Sequence, residues 1–398
     1  MEEYPVNVRN GYLEQMKTEE IMKLEEEHVM QTYTRFKIVV ESGKGCYVYD
    51  KEGKKYLDFL GGIATCSVGH GNKEVAKAIS EQAKKLIGIS NLYYTEPQAV
   101  LAEKLSKLSG LKKCFFCNSG AEANEAAIKL VKKITGKKKF IAFEHCFHGR
   151  TAGSLAATWK EKYKTPFLPL APDVIFVEYN NIAALENAIT PEIAAVIIEP
   201  IQGEAGIIVP DEGYLKKLSE LCKKNNVLLI ADEVQSGTGR TGKFFAYQHE
   251  GIIPDIATLA KGIGNGVPIG VCISNLDFDK GNHASTFGGN NLCCAAANAV
   301  IDFIEKKKLM DNAVKIGNYF MKKLSKIDSP LIKKVKGKGL MIGVELNEDK
   351  AKEIVDKCLE KGLILNNATD NILRFLPPLI VKKKEVDEAI KILEEVLK

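Results

Sequence analysis

Charged and small residues that could do chemistry follow four short apolar runs of the kind that form buried strands. They stand at residues 118–121, 199–204, 232–235 and 261–262. In an open parallel sheet, ligands bind beyond the carboxyl ends of the strands. We therefore expect the four segments to meet at one edge of a sheet and to form a single site.

The first of these segments is suited to binding a phosphate group. Ser119, Gly120 and Ala121 precede a helical pattern, and the free N–H groups and the dipole at a helix start favour an anion. Small side chains there would let a phosphate approach closely. Asn-Ser-Gly is also a common turn and cap sequence, so an ordinary helix cap is the alternative interpretation.

Lys261 and Asp232 together indicate one particular cofactor. Lys261 ends an apolar run, and burial lowers the pKa of a lysine, which suits Schiff-base chemistry. A carboxylate at a buried strand end needs a cationic partner, and the pyridinium nitrogen of pyridoxal phosphate is such a partner. Either residue alone could be an ordinary loop residue. With a phosphate-binding segment at the same edge, they predict a pyridoxal phosphate site.

A glycine-rich segment supports a rival interpretation from another class, a nucleotide-binding protein. Residues 237–243 match G-x-G-x-x-G and nearly match a Walker A loop. Phe244 stands where a magnesium-binding Ser or Thr belongs, and no helical pattern follows. Both nucleotide interpretations are therefore poor.

Cysteine and histidine spacing does not predict a metal site. Cys114 and Cys117 form a CxxC, but residues three apart in a strand face opposite ways, and no second pair lies at zinc spacing. Residues 145–148 hold two histidines and one cysteine, a set too small and too mixed to argue for a metal. We expect core cysteines and no metal.

Composition limits the class of protein. The 398 residues are 45% apolar and 27% charged, which excludes a disordered or collagen-like chain. The net charge, 56 − 51 = +5, is small for a dedicated nucleic-acid binder. No run approaches the roughly 18 apolar residues of a membrane span. Ten cysteines without a secretory signal predict a reducing compartment, the cytoplasm.

Apolar runs that alternate with helical patterns predict an α/β fold with a mostly parallel, seven-stranded sheet. The predicted strands are residues 114–117, 140–143, 174–177, 195–198, 227–231, 256–259 and 270–273, with helices at 121–133, 182–188 and 213–224.

The two ends of the chain differ from this middle part. Residues 19–27 predict an exposed helix or an arm, and residues 44–58 alternate around a Glu-Gly turn, which predicts a β-hairpin. From residue 291 onward, helices at 292–307, 313–326 and 384–397 and strands at 340–346, 363–366 and 372–376 predict a smaller α+β domain. We expect an arm and hairpin (1–60) that pack with the small domain, a large cofactor-binding domain (61–290) and the small domain (291–398).

Arginine is unusually scarce in this chain. Only five of the 56 basic residues are arginine: Arg9, Arg35, Arg150, Arg240 and Arg374. The planar guanidinium matches a carboxylate bidentately, which lysine cannot do. Each arginine is therefore a candidate for binding a carboxylate or phosphate, with a chance surface position as the alternative.

Several long motifs, in order and over nearly the whole chain from residue 44, resemble one enzyme family. They include Asn-Ser-Gly-Ala-Glu-Ala at 118–123, Phe-His-Gly-Arg-Thr at 147–151, Glu-Pro-Ile-Gln-Gly-Glu at 199–204, Asp-Glu-Val-Gln-Ser-Gly-Thr-Gly at 232–239 and Ser-Thr-Phe-Gly-Gly-Asn at 285–290. The sequence resembles the class III, fold-type-I pyridoxal-phosphate aminotransferases, and within them the acetylornithine aminotransferases.

The resemblance implies how the cofactor would be used. Lys261 would form the covalent link to pyridoxal phosphate and move the substrate proton. Asp232 would keep the pyridine nitrogen protonated. Val234 and Phe147 would pack against the two ring faces, and Gln235 would contact the phenolic oxygen.

Further cofactor contacts follow from the same resemblance. Gly120 and Ala121 would bind the phosphate through main-chain N–H groups, and Glu233 belongs to the cofactor-binding segment 232–235. Thr286 would reach the phosphate bound by the neighbouring subunit. The implied assembly is a homodimer with shared active sites.

The implied reaction transfers the terminal amino group of N2-acetyl-L-ornithine to 2-oxoglutarate, in arginine biosynthesis. Arg150 would bind the α-carboxylate of acetylornithine and the distal carboxylate of glutamate. Arg374 would bind the α-carboxylate of glutamate, with Glu204 neutralising it when the distal amine is bound. Ser285 would add a polar substrate contact.

Two departures from related motifs bear on the substrate. Residues 63–66 lack the tyrosine by which ornithine aminotransferases meet the α-amino group of free ornithine, which disfavours ornithine. Residues 33–37 lack the proline of the family's Tyr-x-Arg-x-Pro. Relatives that act on 4-aminobutyrate, on succinyl-diaminopimelate, or on carrier-linked lysine or ornithine share most of these motifs and remain alternatives.

Overall fold

A computed structural model describes residues 16–398; Arg9 lies outside the described residues. The strands are β1 Val40–Lys44, β2 Tyr47–Asp50, β3 Lys55–Asp58, β4 Lys113–Cys117, β5 Lys139–Phe143, β6 Asp173–Val177, β7 Ile193–Ile198, β8 Leu228–Asp232, β9 Ile256–Leu259, β10 Gly270–Ser274, β11 Ile332–Lys338, β12 Met341–Leu346, β13 Leu363–Ile364, β14 Asn366–Thr369 and β15 Ile372–Phe375. The helices are α1 Thr18–His28, α2 Gly61–Ala64, α3 Lys73–Lys85, α4 Glu96–Ser109, α5 Gly120–Thr135, α6 Ala152–Ala156, α7 Glu161–Lys164, α8 Ile182–Ala188, α9 Tyr214–Lys224, α10 Asn291–Lys306, α11 Leu309–Leu324, α12 Ala351–Glu360 and α13 Lys383–Val396.

The central sheet has seven strands in the order β4-β10-β9-β8-β7-β5-β6. Only β10 is antiparallel to its neighbours, and the pairs from β9 to β6 are all parallel. Each strand coincides, within two residues at either end, with one of the seven predicted runs. The predicted α/β class and mostly parallel sheet are confirmed.

Helices cover both faces of this sheet, which is why its strands are apolar throughout. Along β5, Phe140 and Ala142 pack into one core with residues of α5, whereas Ile141 and Phe143 pack into another with residues of α8 and α9. All six residues of β7 are buried. Successive strand side chains point to opposite faces, so a strand covered on both sides loses the alternation of polar and apolar residues.

Two smaller sheets complete the structure, with strand orders β1-β2-β3-β13 and β11-β12-β15-β14. The predicted hairpin is present as β2 and β3, which join through a turn at Gly53. The prediction of one strand over residues 363–366 is wrong. Leu363 pairs with Leu57 of β3, whereas Asn366 pairs with Arg374 of β15, because the chain passes from one sheet to the other between these positions.

One strand and several helices were not predicted from the sequence. The strand β11 carries four lysines and forms an edge of its sheet, where lysine is a common protection against unwanted strand pairing. The helices α3, α4 and α12 were also not predicted. As expected for the charged segment near the start, α1 is a helix with no buried residue. Across residues 16–398, no helix combines the length and apolar character needed to cross a membrane.

Candidate active site

The four segments singled out in the sequence meet around a cavity of about 470 Å³ at the carboxyl ends of the parallel strands. The cavity is lined by Thr65, Asn118, Ser119, Gly120, Ala121, Phe147, His148, Gly149, Arg150, Glu199, Asp232, Val234, Gln235, Ala260, Lys261 and residues 266–269. Its volume suits a small organic ligand.

The start of α5 forms one wall of the cavity. Ser119 is the N-cap residue, and its hydroxyl oxygen accepts a hydrogen bond from the N–H of Glu122 at 3.2 Å. The N–H groups of Gly120 and Ala121, in the first turn, have no acceptor within the helix. A Cβ on Gly120 would lie 2.7 Å from Cγ1 of Val234, so glycine is required for this close approach. The helix α5 has 16 residues. Its N-terminus, which forms this wall, is suited to binding an anion.

Asp232 ends β8 at the floor of the cavity and is held by a buried hydrogen-bond network. Its Oδ2 accepts from Nδ2 of Asn124 and is bonded to Nδ1 of His148, each at 2.7 Å. Its Oδ1 accepts from the N–H of Val234 at 3.0 Å. Asn124 is fixed in turn by Thr258, whose hydroxyl donates to Oδ1 of Asn124 at 2.8 Å. This network fixes the position of the carboxylate.

His148 stabilises the negative charge of this carboxylate. Burial disfavours the imidazolium form, but the adjacent Cys146 and the Asp232 carboxylate outweigh it and raise the pKa of His148 well above its ordinary value. Its Nε2 is buried and has no hydrogen-bond partner among the described residues. With its pKa raised, His148 is a cationic partner for Asp232.

Lys261 lies two residues after the end of β9 and lines the cavity. Burial lowers the pKa of Lys261, against the opposing influence of Glu204. Its φ of 47° lies in the left-handed region, which is uncommon for a residue with a side chain and frequent at functional sites. A lysine with a lowered pKa is a better nucleophile at neutral pH.

Glu199 contributes a second carboxyl group to the cavity wall. It accepts hydrogen bonds from the N–H groups of Phe147 at 3.2 Å and Gly203 at 3.3 Å. Burial raises the pKa of Glu199 to about 7, although the charge of His148 opposes this shift. The carboxyl group therefore anchors two segments beside the cavity, the one after β5 through Phe147 and the one after β7 through Gly203.

Arg374 is almost completely buried, at 1% exposure, and its charge is neutralised locally. Its guanidinium forms an ion pair with Glu204. It also donates to Oε1 of Gln235 at 3.3 Å and to Oδ1 of Asn366 at 3.1 Å. Because Gln235 lines the cavity, Arg374 and Glu204 lie directly behind the cavity wall.

Arg150 differs from Arg374 in having no acidic partner. It is exposed at the cavity and, within residues 16–398, forms no ion pair and no hydrogen bond through its side chain. Its guanidinium carbon lies 3.6 Å from the ring centroid of Tyr163 and 5.6 Å from that of Phe147. The arginine is free to bind a carboxylate.

Besides Glu204 and Arg374, three of the candidate site residues from the sequence lie outside the cavity lining. Glu233 follows Asp232 but points elsewhere, since its carboxylate accepts from the hydroxyl of Ser236 at 2.6 Å and the N–H of Tyr247 at 2.9 Å. It braces the turn after β8 and does not reach the cavity.

Ser285 and Thr286 are the other two. The hydroxyl of Ser285 accepts from Nδ2 of Asn118 at 3.3 Å, so Ser285 stands behind a residue of the cavity wall. Thr286 lines a second cavity of about 380 Å³, together with Phe287 and Asn91.

Residues 237–241 of the glycine-rich segment are buried, and the segment offers no nucleotide site. Arg240 is 2% exposed and donates to the carbonyl oxygens of Leu340 and Pro377. A Cβ on Gly239 or Gly242 would contact side chains of α11. The segment joins the central sheet to the C-terminal part of the chain.

The cysteines behave as core residues. None of the ten is paired in a disulfide, and burial raises the pKa of Cys114 and Cys117 to about 12. In the described part of the chain, no three His, Cys, Asp or Glu side chains are grouped so that they could hold a metal ion.

The cavity fits pyridoxal phosphate in chemistry as well as in size. The α5 terminus is suited to a phosphate, the buried Asp232 carboxylate to a protonated ring nitrogen, and Lys261 to an aldehyde, and all three line the same cavity. Phe147 and Val234 supply apolar surface between these polar ends. A helix terminus, a carboxylate and a lysine in one cavity are the set of groups that this cofactor needs.

Sequence reasoning gave no role in this site to four of its residues: Asn124, His148, Glu199 and Thr258. The two ends of the bond between Asn124 and Asp232 are 108 positions apart in the chain. No local pattern marks such a pair. The position of Asn124 on the otherwise apolar, buried face of α5 was the one available signal.

Comparison with known proteins gives a consistent result. Residues 29–397 match the family model for class III aminotransferases. Acetylornithine aminotransferase of Archaeoglobus fulgidus is 50% identical and that of Methanocaldococcus jannaschii 49%, over 93% and 96% of this chain and 98% of each relative.

Solved structures show the same fold. Ornithine aminotransferase of Toxoplasma gondii, which holds pyridoxal phosphate at partial occupancy in its active site, superposes with a TM-score of 0.92 at 32% identity, over 97% of this chain and 95% of that chain. Acetylornithine aminotransferase of Elizabethkingia anophelis superposes with a TM-score of 0.86 at 37% identity, over 96% and 99%.

Proposed function

The chain belongs to the class III aminotransferase family, and we propose that it transfers the terminal amino group of N2-acetyl-L-ornithine to 2-oxoglutarate. The products are N-acetyl-L-glutamate 5-semialdehyde and L-glutamate. The two half-reactions alternate at one site and use pyridoxal phosphate. The relatives named acetylornithine aminotransferase, at 45–50% identity over nearly the whole chain, support this choice of substrate.

The observation that carries the proposal is the contrast between the two arginines beside the cavity. Among residues 16–398, Arg150 has no acidic partner, whereas Arg374 is paired with Glu204. Glutamate brings two carboxylates to the site and acetylornithine only one. With Glu204 in place, only Arg150 is available, which suits acetylornithine. When glutamate enters, its α-carboxylate replaces Glu204 on Arg374, because a buried arginine without a partner would be costly.

The residues of the chain divide the chemical work. Pyridoxal phosphate, when bound, supplies an aldehyde that condenses with amines and a ring that draws electrons from the neighbouring carbon. The Asp232 carboxylate, held by Asn124 and His148, favours a proton on the ring nitrogen. Lys261, with its lowered pKa, accepts and returns the proton of the substrate carbon at neutral pH. Gly120 and Ala121 bind the phosphate.

The segment near Thr65 favours an acylated amine over free ornithine. Thr65 lines the cavity, and neither it nor its neighbours at residues 63–66 is a tyrosine. No phenol from this segment can therefore bind the α-amino group of ornithine. An acetyl group on that nitrogen removes its charge and the need for such a partner.

The assembly and cellular setting complete the proposal. We place the enzyme in the cytoplasm, since all ten cysteines are unpaired, and we assign residues 1–60, 61–290 and 291–398 to the arm and hairpin, the large domain and the small domain. We also propose a homodimer in which Thr286 of one subunit contacts the phosphate bound by the other. Thr286 lies in a cavity apart from Lys261, and Phe287 beside it is 71% exposed.

A comparison of amino donors tests the substrate. Purified enzyme with pyridoxal phosphate and 2-oxoglutarate is supplied with N2-acetylornithine, ornithine, 4-aminobutyrate or N-succinyl-diaminopimelate, and glutamate formation is measured. The largest kcat/KM is expected for N2-acetylornithine. A larger value for another donor would keep the aminotransferase and reject the proposed substrate.

A further inference from the structure

The free guanidinium of Arg150 needs something to hold it, because an arginine side chain in solvent samples many rotamers. Its backbone is already fixed. The carboxylate of Glu125 on α5 accepts from the hydroxyl of Thr151 at 2.6 Å and from the N–H groups of Gly153 and Ser154 at 2.7 and 3.1 Å. The conformational freedom that remains at Arg150 is therefore that of its side chain.

Of the two aromatic rings beside this side chain, that of Tyr163, on the short helix α7, is the nearer. The guanidinium carbon of Arg150 lies 3.6 Å from the centre of the Tyr163 ring, nearer than the 5.6 Å to Phe147. At this distance the cation rests against the face of the ring, where the attraction is greatest. Since the N–H donors of a guanidinium lie in its plane, stacking on one face leaves them all free.

The two arginines beside the cavity are thus held in opposite ways. Glu204 holds Arg374 by pairing with the charge and the N–H donors of the guanidinium. Tyr163 holds Arg150 and leaves the charge and the N–H donors of that guanidinium available. An aromatic partner suits an arginine that must bind a carboxylate in both half-reactions, because nothing has to be displaced first.

We propose that Tyr163 is a positioning residue that sets the affinity of the site for the carboxylate bound by Arg150. The proposal rests on the proposed function for the identity of the substrates. It applies to the α-carboxylate of N2-acetylornithine and equally to the distal carboxylate of glutamate.

The hydroxyl of Tyr163 is not part of this arrangement. Among residues 16–398 the hydroxyl forms no hydrogen bond, and the ring, not the oxygen, contacts Arg150. Tyr163→Phe therefore keeps the interaction, and Tyr163→Leu removes it while leaving an apolar side chain of similar reach.

The test compares amines that have the carboxylate with amines that lack it. N2-acetylornithine is paired with N-acetyl-1,4-diaminobutane, and glutamate with L-2-aminobutyrate. For Tyr163→Leu we expect KM for both carboxylate-bearing amines to rise about five- to tenfold with kcat within about twofold of wild type, as the loss of one cation–π contact implies. The half-reactions of the two truncated amines should keep their wild-type rates.

Direct binding and two control variants complete the test. Calorimetric titration with glutarate, an unreactive dicarboxylate, should show the same loss of affinity in Tyr163→Leu. Tyr163→Phe should behave as wild type. Tyr319→Leu removes a half-buried tyrosine of α11 that lies 5.0 Å from the ammonium of Lys383, away from the cavity, and it should change none of these values.

Two results would overturn the proposal: an unchanged KM and glutarate affinity in Tyr163→Leu, or an equal loss for the truncated amines. A wild-type enzyme that reacts with glutamate and not with N2-acetylornithine would contradict the proposed function instead. In that case the pair of glutamate and L-2-aminobutyrate, with glutarate, still decides the role of Tyr163.

Discussion

Each charged residue beside the cavity depends on a particular neighbour for its state. Asn124 and His148 hold the Asp232 carboxylate by hydrogen bonds, Glu204 neutralises Arg374, and burial lowers the pKa of Lys261. Such neighbours are polar groups with little access to water, where electrostatic interactions are stronger than at the surface. The chemical properties of these charged residues therefore depend on their neighbours as well as on their own side chains.

The pair of Glu204 and Arg374 gives a prediction for the substrates. Glu204→Gln leaves the buried guanidinium without a charged partner. We expect KM for glutamate to fall or stay unchanged, since no carboxylate has to be displaced, and kcat/KM for N2-acetylornithine to fall about tenfold or more because of the unpaired charge. Steady-state kinetics with both donors measures this. An equal change for the two donors would contradict the exchange of partners on Arg374.

The same pair predicts how stability depends on pH. Burial alone would raise the pKa of Glu204, but the Arg374 charge outweighs it, so the net pKa is lowered from the ordinary value of 4.5. The ion pair therefore stabilises the fold fully above pH 4.5 and loses its effect as the pH falls through the lowered pKa.

Glu204→Gln serves as the reference in that experiment. At pH 7 it should unfold with a free energy about 1–3 kcal/mol below wild type, less than for a fully buried pair because the Glu204 side chain is 35% exposed. The difference should shrink below pH 4.5 in urea denaturation. A difference that stays constant with pH would assign the effect to packing.

At the scale of elements, the start of α5 makes a direct prediction. Gly120→Ala would place a methyl group 2.7 Å from Val234, so the helix start must move away from the cavity. We expect pyridoxal phosphate to bind about tenfold or more weakly, as for displaced anion contacts. Absorbance titration of the apoenzyme measures this. Lys132→Ala, near the other end of α5, is the control and should bind the cofactor normally; an equal loss there would argue for general helix destabilisation.

The elements around the cavity could be predicted from the sequence to different degrees. The seven central strands were recognisable because both of their faces are buried and their residues are apolar throughout. The strand β11 was hidden because an edge strand rich in lysine resembles a loop. The junction at Leu365 was hidden because β13 and β14 join different sheets, and no local pattern records which strand a residue will pair with.

The residues of the candidate site also differ in how far they could be predicted from the sequence. Lys261, Asp232 and the start of α5 were recognisable because each follows a strand that could be predicted. Asn124, His148 and Glu199 were missed since their roles depend on contacts made across the folded chain. Glu233 was assigned to the cofactor by its place beside Asp232, and its side chain instead braces Tyr247.

At the scale of the whole molecule, the proposed dimer can be tested by complementation. Lys261→Ala should abolish turnover, and Thr286→Lys should block the phosphate site that Thr286 is proposed to complete in the partner. When the two variants are co-expressed, each mixed dimer holds one site with both wild-type residues. Random pairing then restores about a quarter of wild-type activity.

Separate preparations provide the control for this experiment. Each variant alone should be inactive and dimeric by light scattering. No recovery on co-expression, with mixed dimers shown to be present, would mean that each site is built from a single subunit.

The most direct test of the account is the visible absorption spectrum of the purified protein through one reaction cycle. We expect a yellow protein that loses its visible band on titration with N2-acetylornithine and regains it on addition of 2-oxoglutarate. A yellow protein that does not respond to N2-acetylornithine would contradict the proposed substrate. A colourless protein that takes up no pyridoxal phosphate would contradict the entire assignment of the cavity.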